Sequence, residues 1–250
     1  GVNQLYAEVS RSCFLSNGKW PVQMVLRVPI GAYGSGGPFH SSSVESAILT
    51  IKGLKIAYPS NAADMKGLFK SAFHDPNPVV LFEHKGLYWS KVPGTDAAKT
   101  FEPDSEYIIP LGKARIQQEA SPECIENGES CVVITYGMGV HWTMAASKQY
   151  QGQVEILDLR TLNPLDWEGV LTSVRRHNKA LVLTEEPLMN SFAESLAGRI
   201  SKECFQELDA PVMTLGAKNL PAIALNVDLE KEMLPNAEKV KLGIEQLLEY

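Results

Sequence analysis

The 250-residue sequence has only four cysteines and no apolar run long enough to cross a membrane. The cysteines form no CxxC pair and show no zinc-like spacing, which predicts reduced, mostly buried thiols in a cytoplasmic protein. A membrane-spanning helix needs roughly 18 apolar residues in succession, and we also expect no signal peptide. Because the sequence begins with Gly1 rather than Met, we expect a preceding segment.

Basic charge is scarce, with 23 Lys and Arg against 29 Asp and Glu and a net charge of -6. No basic stripe is available to neutralise phosphates, which argues against a nucleic-acid partner. From residue 130 onward there are 11 basic and 16 acidic side chains. This distribution favours either a solvated acidic surface or the docking of a basic protein partner.

Several catalytic motifs are also missing. No HExxH, GxSxG or CxxC occurs, so metalloprotease, serine-hydrolase and thioredoxin-like functions have no supporting residues. The glycine-rich run at residues 31–37 follows a predicted strand but matches neither GxGxxG nor GxxxxGK[ST]. This run is therefore either an active-site loop or a plain connection.

Strand and helix patterns alternate along both halves of the chain. Continuous apolar runs such as "PVVLFEH" and "ALVLTEE" are typical of buried parallel strands, and amphipathic helical patterns separate them. The alternation predicts an α/β fold with right-handed crossovers. Residues 99–129, rich in Pro, Gly and acidic side chains, are predicted to be a linker with a short strand pair, between domains at 1–98 and 130–250.

His40 follows the glycine-rich run and precedes Ser42-Ser43-Val44-Glu45, which fits the S-x-x-E capping box. The pattern predicts a helix N-terminus whose dipole favours a neutral imidazole. A neutral histidine beside a loop suits proton transfer at neutral pH. The alternative is a histidine that only hydrogen-bonds the loop.

Asp75 and Asn77 lie in a turn where a helical pattern stops. Their side chains suit either the capping of that turn or, together with free carbonyl groups, the binding of a hard cation. Capping is the commoner role for such residues.

Acidic residues end two other apolar strands. Asp158 is expected to organise the following turn through Arg160 or Thr161. Glu185 and Glu186 lie at a strand end before Pro187, where open α/β sheets commonly bind ligands.

Several sequence blocks together resemble the beta subunit of thiamine-diphosphate-dependent 2-oxo acid dehydrogenases, over nearly the whole chain and in the right order. The blocks are "LRVPIG…GGPFHSSSVES", "GLKIAYPSNAADMKGLFKSAFHDPNPVVLFEHKGLYW", "IPLGKARI", "VEILDLRTLNPLDW", "EEPL" and "KECFQELDAPV". The resemblance implies the rear part of a thiamine pyrimidine-binding domain followed by a transketolase C-terminal-like domain. Each is expected to be a mainly parallel sheet flanked by helices.

The resemblance implies a role for His40, which matches the histidine of the family's Tyr-His-Ser-Gln block. That histidine is assigned to proton donation when the acyl group passes to lipoamide. Here Phe39 replaces the tyrosine and Ser42 the glutamine.

The resemblance also implies a monovalent cation site, typically for potassium, built on an Asp-x-Asn pair and backbone carbonyls. The implied ligands are Asp75, Asn77 and the carbonyls of Ala72, Val22, Met24 and Val25.

The cofactors implied are thiamine diphosphate and magnesium, completed by residues outside this chain. The family's activating glutamate lies upstream of the position matching Gly1, and no Gly-Asp-Gly motif occurs here. We therefore expect the chain alone to be incomplete. Implied partners are an alpha subunit or fused alpha half, a dihydrolipoyl acyltransferase with its lipoyl arm, and a second beta chain, in the bacterial cytoplasm or the mitochondrial matrix.

The expected activity is oxidative decarboxylation of a branched-chain 2-oxo acid, 2-oxoisovalerate. The alternatives are a pyruvate or acetoin dehydrogenase beta subunit, or a non-catalytic fragment that provides subunit and partner contacts. A deoxyxylulose-phosphate synthase or transketolase relative is less favoured, because the "DPNP" and "DLRTLNPLDW" blocks favour the dehydrogenase.

Overall fold

The computed structural model describes residues 1–90 and 92–250. The strands are β1 (Val25–Ile30), β2 (Lys55–Ala57), β3 (Val79–His84), β4 (Arg115–Gln118), β5 (Cys131–Thr135), β6 (Val154–Asp158), β7 (Thr161–Asn163), β8 (Ala180–Pro187) and β9 (Met213–Ala217). The α-helices are α1 (Val2–Gln4), α2 (Ser12–Leu15), α3 (Glu45–Leu49), α4 (Ala62–His74), α5 (Pro122–Glu126), α6 (Met138–Ala146), α7 (Trp167–His177), α8 (Phe192–Glu203), α9 (Val227–Met233) and α10 (Ala237–Leu248). A π-helix covers Leu5–Val9, and short 3-10 helices cover Lys85–Leu87, Asp96–Ala98 and Ser147–Gln149.

The strands form two sheets, each mainly parallel. The first sheet has the order β1-β3-β2-β7 and the second has the order β4-β6-β5-β8-β9. β7 is antiparallel to β2, and β4 is antiparallel to β6, while the other neighbouring strands are parallel. The α/β class with two mainly parallel, helix-flanked sheets is confirmed.

The apolar runs of the sequence become the central strands. Every residue of β3, β5 and β6 is buried, as expected for parallel strands covered on both faces. Helix α4 begins where the Asn61 side chain accepts the backbone N–H of Asp64, at 2.9 Å. Such a cap typically contributes about 1 kcal/mol to helix stability.

The strand pair predicted within residues 99–129 is not formed. That segment contributes the single strand β4, which pairs with β6 of the second sheet. Conversely, β7 follows β6 of the second sheet in sequence but pairs with β2 of the first sheet. The chain therefore crosses between the sheets in both directions, because edge pairing depends on contacts distant in sequence. The limits 1–98, 99–129 and 130–250 stay a prediction.

One hydrophobic cluster extends across both sheets. Within it, the Tyr58 ring lies 5.8 Å from Phe82 and 5.2 Å from Tyr136, measured between centroids. Residues just after the strands of one sheet contact residues just after the strands of the other. For example, Tyr58 follows β2, Arg160 follows β6, and the Tyr58 N–H donates to the Arg160 carbonyl at 2.8 Å. The two carboxyl edges thus face each other. In the described part of the chain, no helix has the length and apolar character that a membrane crossing requires.

Candidate functional site

His40 lies in the loop that follows β1, and we call residues 31–46 the His40 loop. Gly31 begins the loop with a φ of +89°, and its Cα packs so closely on the ring of His84 that a Cβ would overlap it. A side chain at position 31 is therefore excluded by both backbone conformation and space. His40 is exposed, and the Lys85 ammonium group donates a hydrogen bond to its backbone carbonyl.

The predicted capping box is wrong. Helix α3 begins at Glu45 with Val44 as its N-cap, and no side chain caps it. Glu45 is fully buried rather than turned back toward Ser42, because its side chain packs into the contact between the two sheets. The helix is five residues long and begins five residues after His40, so its dipole gives no reason for a neutral imidazole.

Glu185 and Glu186, at the end of β8, hold both ends of the His40 loop. Glu185 Oε1 accepts the Ala32 N–H at 2.7 Å. Glu186 Oε2 accepts the Ser46 N–H at 3.0 Å, and Glu186 Oε1 accepts the Ser46 hydroxyl at 2.7 Å. The sequence placed these glutamates at a ligand-binding edge, and in the structure their hydrogen-bond partners include backbone amides of the protein's own loop.

We call Glu45, Glu185 and Glu186 the glutamate cluster. All three are at most 5% exposed. His84 Nε2 lies 2.7 Å from Glu185 Oε2, whereas neither carboxyl oxygen of Glu45 has a hydrogen-bond partner in the described part of the chain. Burial first and the neighbouring Glu186 charge second raise the pKa of Glu45 well above its usual value. The buried site therefore favours the neutral carboxylic acid form of Glu45 over its carboxylate.

The residues expected to bind a cation lie at the opposite edge of the first sheet. Ala72, Asp75 and Asn77 precede β3, and residues 22–25 lead into β1, whereas the His40 loop follows β1. Six residues of strand at about 3.3 Å each separate the two edges by roughly 20 Å. The structure therefore does not bring the proton-transfer candidate and the cation candidates together.

Hydrogen bonds link the chain segments that are expected to bind the cation. The Gln23 side chain donates to the Phe73 carbonyl at 2.7 Å, which ties residues 22–25 to the end of α4. The Ala72 carbonyl accepts the Asp75 N–H at 3.4 Å, and the Met24 carbonyl accepts the Val79 N–H at 2.9 Å. Each carbonyl retains a second lone pair.

Asp75 is already engaged by the protein. Its Oδ1 accepts the Asn77 N–H at 2.9 Å, and its Oδ2 is paired with the Lys55 ammonium group. Capping of the turn is therefore present in the structure. Carboxylate and carbonyl oxygens are also the ligand type that a hard cation prefers. The Lys55 ammonium group already supplies one positive charge to Asp75, and a bound cation would share that carboxylate with it.

A second set of largely buried polar side chains joins the two sheets. It consists of Asp64, Asp158, Arg115 and Arg160, and we call it the arginine–aspartate network. Arg160 donates to both carboxyl oxygens of Asp64, at 2.8 and 2.9 Å, and Arg115 Nη1 lies 3.6 Å from Asp64. Asp158 accepts the Ser60 hydroxyl at 2.5 Å and the Arg160 N–H at 3.1 Å. The predicted role of Asp158 in the following turn is confirmed through Arg160.

Burial raises the pKa of Asp158 to about 6, against the opposing effect of the Ser60 hydrogen bond. His141 also faces this network, with Nε2 2.7 Å from the Ser60 carbonyl, and burial lowers its pKa. Both groups are driven toward their neutral forms, which is the expected effect of a buried environment.

A cavity of about 410 Å³ opens beside β3, lined by residues that include Arg27, Glu83, His84, Tyr88 and Trp89. His84 also contacts Glu185 and packs against Gly31, so the cavity adjoins the start of the His40 loop. None of the residues predicted from the sequence as site residues lines it.

The sequence reasoning missed Lys85 and Ser46. Lys85 follows β3 directly, and the position of a charged residue at the carboxyl end of a buried strand was a usable signal. Nothing in the local sequence distinguishes Ser46 from the three serines before it, since its partner Glu186 is 140 residues away.

Comparison with known proteins places this fold in a class. The model of the transketolase pyrimidine-binding domain matches residues 4–90, and the model of the transketolase C-terminal domain matches residues 122–240. A solved structure described as a split gene transketolase, inactive beta4 tetramer, covers 89% of this chain and 66% of that chain, with a TM-score of 0.63 and 15% identity. That likeness concerns the fold alone. The two domains are thus of transketolase type.

Curated relatives narrow the class further. The 2-oxoisovalerate dehydrogenase subunit beta of Bacillus subtilis is 34% identical over 252 residues, covering 100% of this chain and 72% of the relative. A pyruvate dehydrogenase E1 component subunit beta from Rhizobium meliloti is 31% identical, over 96% of this chain and 49% of the relative. The mitochondrial pyruvate dehydrogenase E1 component subunit beta of Caenorhabditis elegans is 30% identical, over 99% of this chain and 68% of the relative.

The chain belongs to the family of 2-oxo acid dehydrogenase beta subunits. The resemblance inferred from the sequence blocks is confirmed. The chain spans about half the length of the R. meliloti relative, and both substrate types occur among the relatives at similar identity.

Proposed function

We propose that the chain is the beta part of a thiamine-diphosphate-dependent dehydrogenase that decarboxylates 2-oxoisovalerate and passes the acyl group to lipoamide. The observation that carries the proposal is an exposed imidazole, His40, on a loop whose ends are fixed, in a member of this family. When bound, thiamine diphosphate supplies the electron sink that decarboxylation of a 2-oxo acid requires. As one sulfur of the lipoyl disulfide takes the acyl group, the S–S bond breaks and His40 gives a proton to the other sulfur.

Cofactor and partners in this proposal come from outside the chain. Phe39, next to His40 in sequence, is 90% exposed, and Tyr33 in the same loop is 55% exposed. Exposed aromatic side chains of this kind suit a covering alpha chain. Thiamine diphosphate and magnesium would lie between the two chains, with the lipoyl arm of the acyltransferase entering beside His40. Beta–beta contacts would complete the assembly.

A structural cation forms the second part of the proposal. Potassium would take the carbonyls of Ala72, Val22, Met24 and Val25 and the side chains of Asp75 and Asn77. Support comes from the hydrogen bonds that hold the Ala72, Met24 and Asp75 oxygens at the turn before β3 and at its first residue. Roughly 20 Å from His40 along the strands, the ion would stabilise the sheet edge and take no part in the chemistry.

Replacing His40 tests its role. In the complete enzyme, His40→Ala should lower acyl transfer to lipoamide by about 10²–10⁴-fold, the usual range for loss of a general acid. Decarboxylation measured with an artificial electron acceptor should fall much less. His74→Ala, at another exposed histidine, is the matched control. Equal losses in both assays would remove the specific role of His40.

Pyruvate is the second candidate substrate, favoured by the pyruvate dehydrogenase relatives at 29–32% identity. Steady-state kinetics of the complete enzyme decide between the two substrates. A higher kcat/KM with pyruvate than with 2-oxoisovalerate would replace the proposed substrate and leave the role of His40 intact.

A further inference from the structure

The His40 loop is attached to the second domain at its first and last turns. Ala32, two residues into the loop, donates its N–H to Glu185, and Ser46, the final residue, donates its N–H and its hydroxyl to Glu186. Both acceptors are neighbours on β8, so one strand end holds two loop positions that are 14 residues apart in sequence. Hydrogen bonds to an ionised acceptor are shorter and roughly twice as strong as neutral ones.

The two carboxylates are themselves held in place. Glu185 contacts His84 at 2.7 Å, and the Phe192 N–H at the start of α8 donates to Glu186 at 3.0 Å and to the Ser46 hydroxyl at 2.7 Å. Glu185 and Glu186 are 5% and 4% exposed. Side chains fixed by burial and by further hydrogen bonds hold a neighbouring group more accurately than free ones.

The middle of the loop also rests on its surroundings. A Cβ on Gly37, which has a φ of +65°, would lie 3.0 Å from the Leu225 side chain, so the second domain packs directly under this turn. On the other side, Lys85 holds the His40 carbonyl. The imidazole is therefore presented by a loop that is fixed at both ends and supported between them.

We propose that Glu185 and Glu186 are positioning residues for His40, through which the second domain fixes the loop that presents the imidazole. The inference rests on the proposed role of His40 in acyl transfer. Neither glutamate touches a reacting atom, so each acts only by placing the loop. A displacement of about 1 Å in a reacting group can cost about 10²-fold in rate.

The test uses the complete enzyme with Glu186→Ala, Glu186→Gln and Ser46→Ala. Ser43→Ala is the matched control, because the Ser43 hydroxyl is buried in the same loop and has no hydrogen-bond partner in the described residues. Two quantities are measured for each variant that keeps the wild-type melting temperature. One is amide hydrogen exchange across residues 31–46, and the other is the ratio of lipoamide-dependent to artificial-acceptor activity.

Glu186→Ala should speed exchange at Ser46 by about tenfold or more, as expected for loss of a charge-assisted hydrogen bond. The lipoamide-dependent rate should fall by about 10²-fold with little change in KM. Glu186→Gln keeps one acceptor oxygen but turns its NH2 group toward either the Ser46 N–H or the Phe192 N–H, so it should recover only part of the rate. Ser46→Ala should show a smaller change in the same direction, and Ser43→Ala should resemble the wild type. If Glu186→Ala fails to fold, Ser46→Ala alone carries the test.

Three results overturn the inference. Unchanged exchange in both Glu186→Ala and Ser46→Ala would show that these contacts do not hold the loop. Faster exchange with an unchanged activity ratio, while His40→Ala lowers that ratio, would show that the loop is held but that its position does not matter. Faster exchange with no effect of His40→Ala on the ratio would refute the proposed role of His40, and with it the positioning role, while leaving the measured contact in place.

Discussion

The glutamate cluster and the arginine–aspartate network both join the facing carboxyl edges of the two sheets, yet they satisfy buried charge in different ways. In the network, guanidinium groups of Arg160 and Arg115 lie against Asp64. In the glutamate cluster, backbone amides and a histidine ring contact Glu185 and Glu186. Pairing with side-chain cations connects one domain to the other, whereas pairing with backbone amides fixes the path of a loop.

Protonation separates the two regions further. In the described part of the chain, no cation is among the groups that shift the pKa of Glu45, and burial together with Glu186 raises that pKa well above the usual value. Burial raises the pKa of Asp158 only to about 6, because the Ser60 hydrogen bond, the Arg115 charge and the Arg160 backbone N–H oppose it. Such contacts thus limit what burial does to a carboxyl group. Three substitutions test this difference, beginning with the largest expected effect.

Arg160→Met should lower the free energy of unfolding by about 3–5 kcal/mol, because it leaves the Asp64 carboxylate buried without its main partner. Asp64 is fully buried, and the Arg160 side chain is 13% exposed. The matched control is Arg175→Met, whose partner Glu207 lies 3.4 Å away in a pair with 47% and 42% side-chain exposure. The control should cost about 0–1 kcal/mol. Urea unfolding at neutral pH measures both, and equal losses would show that the network does not hold the domains together.

Glu45→Gln should stabilise the protein increasingly as pH rises. The folded pKa of Glu45 lies above its unfolded value, so the wild type takes up a proton on folding and loses stability with rising pH. Gln does not titrate, so its advantage should grow as pH rises above the unfolded pKa of Glu45, by up to about 1.4 kcal/mol per pH unit.

Glu155→Gln is the control for this pH dependence, since Glu155 is equally buried but contacts Arg176 at 2.9 Å and His177 at 3.1 Å. Burial raises the pKa of Glu155, but the hydrogen bond from His177 and the neighbouring charges outweigh it, and the pKa is lowered. The stability from Glu155 is then fully present above its unfolded pKa and lost only as pH falls through the lower folded value. The cost of Glu155→Gln should be flat over the same pH range, and a slope like that of Glu45 would contradict the comparison.

The sequence predicted the parts of the fold that depend on local patterns. Apolar runs predicted β3 and β8, and their alternation with helical patterns predicted the α/β class. β7 was missed because its three residues carry no periodicity and its partner, β2, lies about a hundred residues earlier. The capping box failed because S-x-x-E describes only local hydrogen bonds, while the burial of Glu45 against Glu186 is a tertiary effect.

The candidate site, like the fold, was predictable from the sequence only where local patterns determine it. Sequence blocks identified His40 and the family, and strand-end positions drew attention to Glu185, Glu186 and Asp158. What Glu185 and Glu186 contact was not predictable, since their partners Ala32 and Ser46 are 153 and 140 residues away. Such pairs are fixed by the packing of one sheet against the other, which no local pattern encodes.

Asp158→Asn should give the smallest of the three effects, with the same sign as Glu45→Gln. The pKa of Asp158 is about 6 in the folded protein against 3.8 as its ordinary value, so wild-type stability falls as pH rises between those values. Between about pH 5 and pH 7 the variant should gain about 1.4 kcal/mol on the wild type, less than the change expected at Glu45. Ser60→Ala gives a further test. The Ser60 hydroxyl lowers the pKa of Asp158, so its loss should raise that pKa and extend the fall in the free energy of unfolding to higher pH. A change at Asp158 as large as that at Glu45 would mean that the Ser60 hydrogen bond and the Arg115 charge do not moderate the effect of burial on this carboxyl group.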